Sequence, residues 1–242
     1  MSAVDPLAEP LPASALRLRL RAVPAATWAR FGLAALCLGA LAGFLVYPTY
    51  PNYDSYYAML WGHEALHLQT PSFEAYRAPT EHPLAVAVGG LLSLLGTGSD
   101  RVWVALMVIS FVVLVVGIYR LGRIAFTPVV GAIAAALLCS RLDFPFLAAR
   151  GYIDIPYLAL VVWAAALEAK SPRRGTPVFL LLAAAGLLRP EAWVLVGLYW
   201  LWYAYRASWG RRAGTLALAA VGPVVWTGVD AAVTGDPLFS LH

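Results

Sequence analysis

Apolar residues run in long unbroken stretches along this chain, and charged residues gather in the short gaps between them. The stretches cover roughly residues 28–47, 84–97, 102–119, 124–142, 152–167, 176–188, 190–204 and 213–229. This pattern predicts a succession of helices that use hydrocarbon as their solvent, because a lipid-facing backbone must satisfy its own hydrogen bonds. Length and charge decide which of the eight cross the bilayer. Stretch 84–97 is short of the roughly 20 residues that cross about 30 Å of hydrocarbon. It follows Glu81-His82-Pro83, a helix start beside polar groups. Placed in or near the outer interface, it leaves seven spans.

That register sorts the charges. One side receives Arg120 and Arg123, then Lys170, Arg173 and Arg174, then Arg206, Arg211 and Arg212. The other receives Asp54, Glu64, Glu74, Glu81, Asp143, Asp154, Glu191, Asp230 and Asp236, with few cations: Arg77, Arg101, Arg141, Arg150 and Arg189. By the positive-inside rule the first side is cytoplasmic. The expected organisation is a cytoplasmic N-terminal tail over 1–27, followed by a transmembrane unit over 28–242 with its first outer loop at 48–100. The fold class is all-α and polytopic, with about seven spans plus juxtamembrane helices in that loop.

Composition changes this picture little. Hydrophobic residues make up 61% of the chain and charged residues 12%, about half the charged share of a soluble domain. Mean hydropathy is +0.73. The formal charge of +4 sits in the inter-span clusters, so it orients the chain and implies no nucleic-acid partner. Arg17, Arg19, Arg21 and Arg30 surround the start of the first stretch, which ends at Tyr47-Pro48 with no small-residue cleavage site; an uncleaved first span is expected. Cys37 and Cys139 lie inside apolar stretches and read as small core residues.

Candidate chemistry lies on the outer side. Asp54 follows the first span and stands among Tyr53, Tyr56 and Tyr57. Asp54 or Ser55 suits a helix N-cap, and Asp54 equally suits a general base for an acceptor hydroxyl. The helix that follows is expected to be interfacial, with Tyr57, Leu60 and Trp61 on one face and Glu64 and His67 on another. In Arg150-Gly151-Tyr152-Ile153-Asp154-Ile155-Pro156, Asp154 suits the N-cap and Pro156 the first turn of the next helix. Arg150 sits where the positive-inside rule disfavours it, beside a helix start that suits a phosphate. Leu188-Arg189-Pro190-Glu191 joins two short apolar stretches and cannot face lipid. It is either an ion pair locking two helices or a second phosphate-facing cation with an acid placing it. His82, after Glu81, is either a loop-to-helix junction or a donor to phosphate. His63 and His67 are four apart, a metal-ligand spacing, with no third ligand fixed by spacing.

Tyr53-Asp54, Glu81-His82-Pro83-Leu84, Tyr152-Ile153-Asp154-Ile155-Pro156 and Arg189-Pro190-Glu191, in that order, resemble the C-type glycosyltransferases. These are polytopic enzymes that use polyprenyl-phosphate sugars, and the protein O-mannosyltransferase and aminoarabinose transferase branch is the nearest in pattern. The second proline of that family's His/Lys-Pro-Pro-Leu element is absent here. Thr234-Gly235-Asp236-Pro237-Leu238 looks like the loop after the seventh span. The resemblance covers about residues 28–242. It implies an inverting transfer from a polyprenyl-phosphate monosaccharide to a hydroxyl of a glycan, lipid or protein, on the outer face of the cytoplasmic membrane. Asp54 would be the catalytic carboxylate. Arg150, Arg189 and His82 would bind the donor phosphate, and Asp154, Glu191, Glu81, Tyr53 and Tyr57 would support them. No metal ligand is assigned, though a divalent metal is compatible with such a site.

Family members continue for several further spans. This sequence is therefore expected to be a piece of a longer protein, a unit that works with a partner chain supplying further spans, or a naturally minimal protein. The competing reading is a non-catalytic lipid-phosphate-binding or assembly subunit, which would use Arg150 and Arg189 without needing Asp54. A transporter would place charges along a path through the midplane. Spans one, two, three and seven have none at their centres.

Overall fold

The computed structural model describes residues 24–73 and 78–241, and every regular element among them is helical. The expectations that fall on residues 1–23, on Glu74 and on Arg77 lie outside the described residues. In chain order the helices are α1 (Ala25–Val46), α2 (Tyr53–Leu66), α3 (Pro83–Ser93), α4 (Ser99–Ala125, preceded by a 3-10 turn at Gly96–Gly98), α5 (Pro128–Ser140), α6 (Asp143–Ala149), α7 (Asp154–Lys170), α8 (Thr176–Gly186), α9 (Glu191–Ala204) and α10 (Trp209–Thr234). A 3-10 turn at Phe239–Leu241 follows.

The expected seven spans need correction. Among the described residues three helices are long and apolar enough to cross a membrane: α1, α4 with its leading turn, and α10. A fourth arises if α5 and α6, bent by 63° at their junction, count as one. The apolar stretches at 152–167, 176–188 and 190–204 become helices of 17, 11 and 14 residues. At 1.5 Å per residue, α8 is about 16 Å long and α9 about 21 Å. The break at Arg189-Pro190 falls where the sequence places it, but neither helix beside it is long enough to count as a span. The stretch at 84–97 yields α3, with 11 residues and about 16 Å long.

α4 is the central element, packing against α1, α3, α5, α6 and α7; α7 then packs on α8, and α8 on α9 and α10. The α2–α3 pair lies across the top of this row. Its two helices approach backbone to backbone. A Cβ on Gly62 would sit 2.2 Å from the Gly90 amide nitrogen, and one on Gly89 would sit 2.6 Å from the Ala58 carbonyl. This contact revises the expected faces of α2. Trp61, Ala58 and Ser55 are buried and Leu60 is exposed, because the face that carries Gly62 docks on α3 rather than on lipid.

Candidate functional site

Four chain segments converge at one end of the bundle: the lead-in to α2, the start of α3, the α6–α7 turn and the α8–α9 turn. Backbone groups tie them together. The Asn52 amide donates to the Arg150 carbonyl at 2.7 Å, and the Leu84 amide donates to the Leu187 carbonyl at 3.1 Å. The Gly151 carbonyl accepts from the Ser55 hydroxyl at 2.7 Å and from the Trp103 indole at 2.8 Å. Thr49 donates to the Ala149 carbonyl. Gly151 has φ +77°, and a Cβ there would meet Trp103 at 3.0 Å and Pro51 at 3.2 Å. Only glycine fits such a conformation at such a contact.

Neither expected aspartate cap forms. Asn52 caps α2, its side chain accepting from the Ser55 amide at 3.1 Å. Asp54 is thus free of capping and stands in the first turn. α7 has no side-chain cap: Ile153 holds the cap position. Asp154 instead grips Arg189, 2.5 Å from its guanidinium, while Glu191 lies 3.7 Å from the other terminal nitrogen. Both side chains of the tighter pair are about a third exposed (32% and 29%). The Arg189 Nε is buried without a partner among the described residues.

Asp54 belongs to the same cluster. Burial first, then the Asp154 charge, push its carboxyl above the usual aspartate range, and Arg189 opposes them. Asp154 already holds Arg189, so Asp54 is the carboxylate left available. A partly desolvated carboxylate of raised basicity, beside a fixed cation, suits proton abstraction at an anionic centre.

His82 is also here, but not as a cation. Burial and Arg189 push its imidazole down to about 4. At neutral pH it can offer a phosphate one hydrogen bond and no charge. It packs edge-on against Trp226, ring centroids 5.7 Å apart. Glu81 is 2% exposed. Burial and then Asp230 push its carboxyl up to about 8, so it stays protonated at neutral pH. Asp230, also fully buried, accepts from the Ser240 hydroxyl at 2.7 Å and its amide at 3.0 Å.

The Arg150 guanidinium stacks over the Tyr50 ring at 4.1 Å. Tyr53 and Tyr57 begin an aromatic ladder along α2, with ring centroids 4.9 Å apart, that continues through Trp61 to Phe73. His63 and His67 stack on each other with ring centroids 4.2 Å apart. No three His, Cys, Asp or Glu side chains gather for a metal among the described residues.

An apolar cavity of about 320 Å³ is lined by residues of α3, α4, α7 and α8. Its lining includes Ile153 and Leu188, the chain neighbours of Asp154 and Arg189. Two tryptophans line it with their indole N–H groups turned to protein carbonyls: Trp103 to Gly151 and Trp163 to Val113. Its walls therefore present hydrocarbon and aromatic surface, at the low end of the size of small-ligand sites.

Asn52 and Trp103 were missed by sequence reasoning, and Ser55, Gly151 and Asp230 were named there without the bonds the structure gives them. Asp230 carried a signal: an acid four residues after Trp226 on the last apolar helix. Compared with known protein families, curated proteins and solved structures, the chain matches none.

Proposed function

We propose that this chain binds a lipid-linked phosphate sugar and acts as a glycosyltransferase, or as the donor-binding module of one. The observation that carries the reading is the placement of Arg189. A guanidinium is fixed by Asp154 at 2.5 Å, and the residues just before both partners, Leu188 and Ile153, line an apolar cavity. That is the arrangement an amphiphile with an anionic head requires: tail in the cavity, phosphate on the cation. The Arg189 Nε and terminal nitrogens can each donate to phosphate oxygens.

In the transfer step the bond between the anomeric carbon and the phosphate oxygen breaks, and the lipid phosphate leaves with the electron pair. The acceptor oxygen attacks from the opposite face, inverting the centre, and its proton passes to Asp54. Arg189 stabilises the charge gathering on the leaving phosphate. Neutral His82 and the Glu81 carboxyl line the adjoining wall as hydrogen-bonding groups. Arg150, stacked on Tyr50, organises the lip of the site. In a bilayer the short α8 and α9 leave the Arg189 turn recessed below the surface, and the apolar helices anchor the chain with this end on the outer face.

The alternative, a subunit that binds lipid phosphate without catalysis, uses the same cation and cavity and has no need of Asp54. Asp54→Asn decides between them. The account expects donor binding to survive and transfer to fall by about 10²-fold or more, the usual contribution of a general base. Undiminished transfer with donor binding intact contradicts the role given to Asp54.

A further inference from the structure

The opposite end of the bundle carries a second amphiphile-shaped feature. α9 ends at Ala204 and α10 starts at Trp209, and the two helices leave a groove of about 660 Å³ between them. Trp200, Tyr205, Trp209 and Leu216 line it. Tyr205 and Trp209 are 78% and 81% exposed.

Charge at this end has one sign. Lys170, Arg173, Arg174, Arg206, Arg211 and Arg212 close α7, open α8 and bridge α9 to α10. Among the described residues the carboxylate near them is Glu168, which is already occupied: it accepts from the Tyr199 hydroxyl at 2.7 Å and from the Arg174 amide at 3.2 Å. Arg212 is built into the groove wall. Its guanidinium lies over the Trp209 ring at 4.8 Å, and its Nε donates to the Ala207 carbonyl at 2.9 Å. Its terminal nitrogens have no hydrogen bond among the described residues. Ser208 caps α10 without a side-chain bond, so the first amides of that helix remain available beside Arg211.

We propose that this groove is a binding site for an anionic glycerophospholipid of the leaflet at this end. The phosphodiester sits against Arg211, Arg212 and the start of α10, and an acyl chain lies along Trp209 and Leu216. Free phosphate leaves the apolar groove unfilled. A zwitterionic lipid brings no net charge to neutralise the arginines. Aromatic rings at headgroup depth suit the glycerol region.

The test is native mass spectrometry of the full chain in detergent, titrated with dioleoyl phosphatidylglycerol or dioleoyl phosphatidylcholine. Preferential retention of phosphatidylglycerol is expected. An Arg211→Gln/Arg212→Gln double variant is expected to bind it about tenfold more weakly. Arg120→Gln, which removes a cation on α4, is expected to leave binding unchanged. Trp209→Ala keeps every charge, and is expected to weaken binding through loss of the groove wall; it decides the matter if the arginine variant does not fold. Equal retention of the two lipids overturns the proposal. So does phosphatidylglycerol binding that survives both the arginine and the tryptophan changes, or displacement of the lipid by soluble glycerol phosphate. The donor site lies at the other end, so Asp54→Asn leaves this binding as it is.

Discussion

Substituting Gly62→Ala probes how the fold places Asp54. A Cβ at residue 62 would stand 2.2 Å from the Gly90 nitrogen and 2.3 Å from the Val86 carbonyl oxygen. Ordinary contact begins near 3.4 Å, so the two backbones must part by at least about 1 Å. Both atoms belong to the α3 backbone, which cannot swing aside as a side chain does. Overpacking of this kind costs about 1–3 kcal/mol, and here it moves a whole helix. Asp54 stands in the first turn of α2, and Glu81-His82 leads into α3, so the displacement reaches the site directly. An error of about 1 Å at a reacting group can lower the rate of a reaction about 10²-fold. The assay is thermal unfolding followed by size-exclusion chromatography, together with donor binding. The control is Gly32→Ala on α1, where a Cβ meets nothing within 4 Å. The reasoning is refuted if Gly62→Ala melts with wild type and binds donor as wild type does.

Three further outcomes follow from the geometry. Glu81 keeps its proton up to about 8 in the folded chain but loses it near 4.3 when unfolded, so the folded state binds more protons across that interval and stability falls as pH rises. His82, pushed down to about 4, works in the opposite direction below about pH 6.5. The net fall therefore emerges between about pH 6.5 and 8, and Glu81→Gln should flatten it in melting curves taken at each pH. Trp103→Phe removes the indole donor to Gly151 and leaves the Ser55 bond; a loss of about 1 kcal/mol is expected, read as a lower melting temperature. Asp154→Asn removes the tight partner of Arg189, leaving Glu191 at 3.7 Å; donor binding should weaken even though a negative charge has been taken from the site, and stronger binding would contradict the positioning role.

Some of this was legible in the sequence. An arginine and a glutamate around a proline, inside otherwise apolar sequence, had to be a protein-lined turn, and Arg189 is held there by two acids. The all-helical class followed from the length of the apolar stretches. The span count did not, because short apolar stretches were counted as spans: α8 and α9 have only 11 and 14 residues. The α2–α3 approach was hidden because it depends on Gly62 meeting Gly90 and Gly89 meeting Ala58, residues far apart in the chain with no local signature. Cap assignments failed for a related reason. Asn52, not Asp54, took the N-cap of α2 because the 48–52 segment is tied to the α6–α7 turn, which sets where the helix starts. The contact of Arg150 with Tyr50 had no signal in the sequence beyond the charge of the one and the ring of the other. At His82, burial beside a guanidinium lowers the imidazole's hold on a proton, an effect of packing that residue type alone does not show.

Binding of a polyprenyl phosphate to the purified chain tests the central claim most directly, because it asks about the cation and the cavity without requiring an acceptor. Equilibrium binding should be measured for wild type, Asp54→Asn and Arg189→Gln. Removing a charged partner of a bound phosphate typically costs about 2–5 kcal/mol. The account predicts that Arg189→Gln lowers affinity at least about thirtyfold, while Asp54→Asn binds as tightly as wild type or more so. Equal affinity for wild type and Arg189→Gln would contradict it.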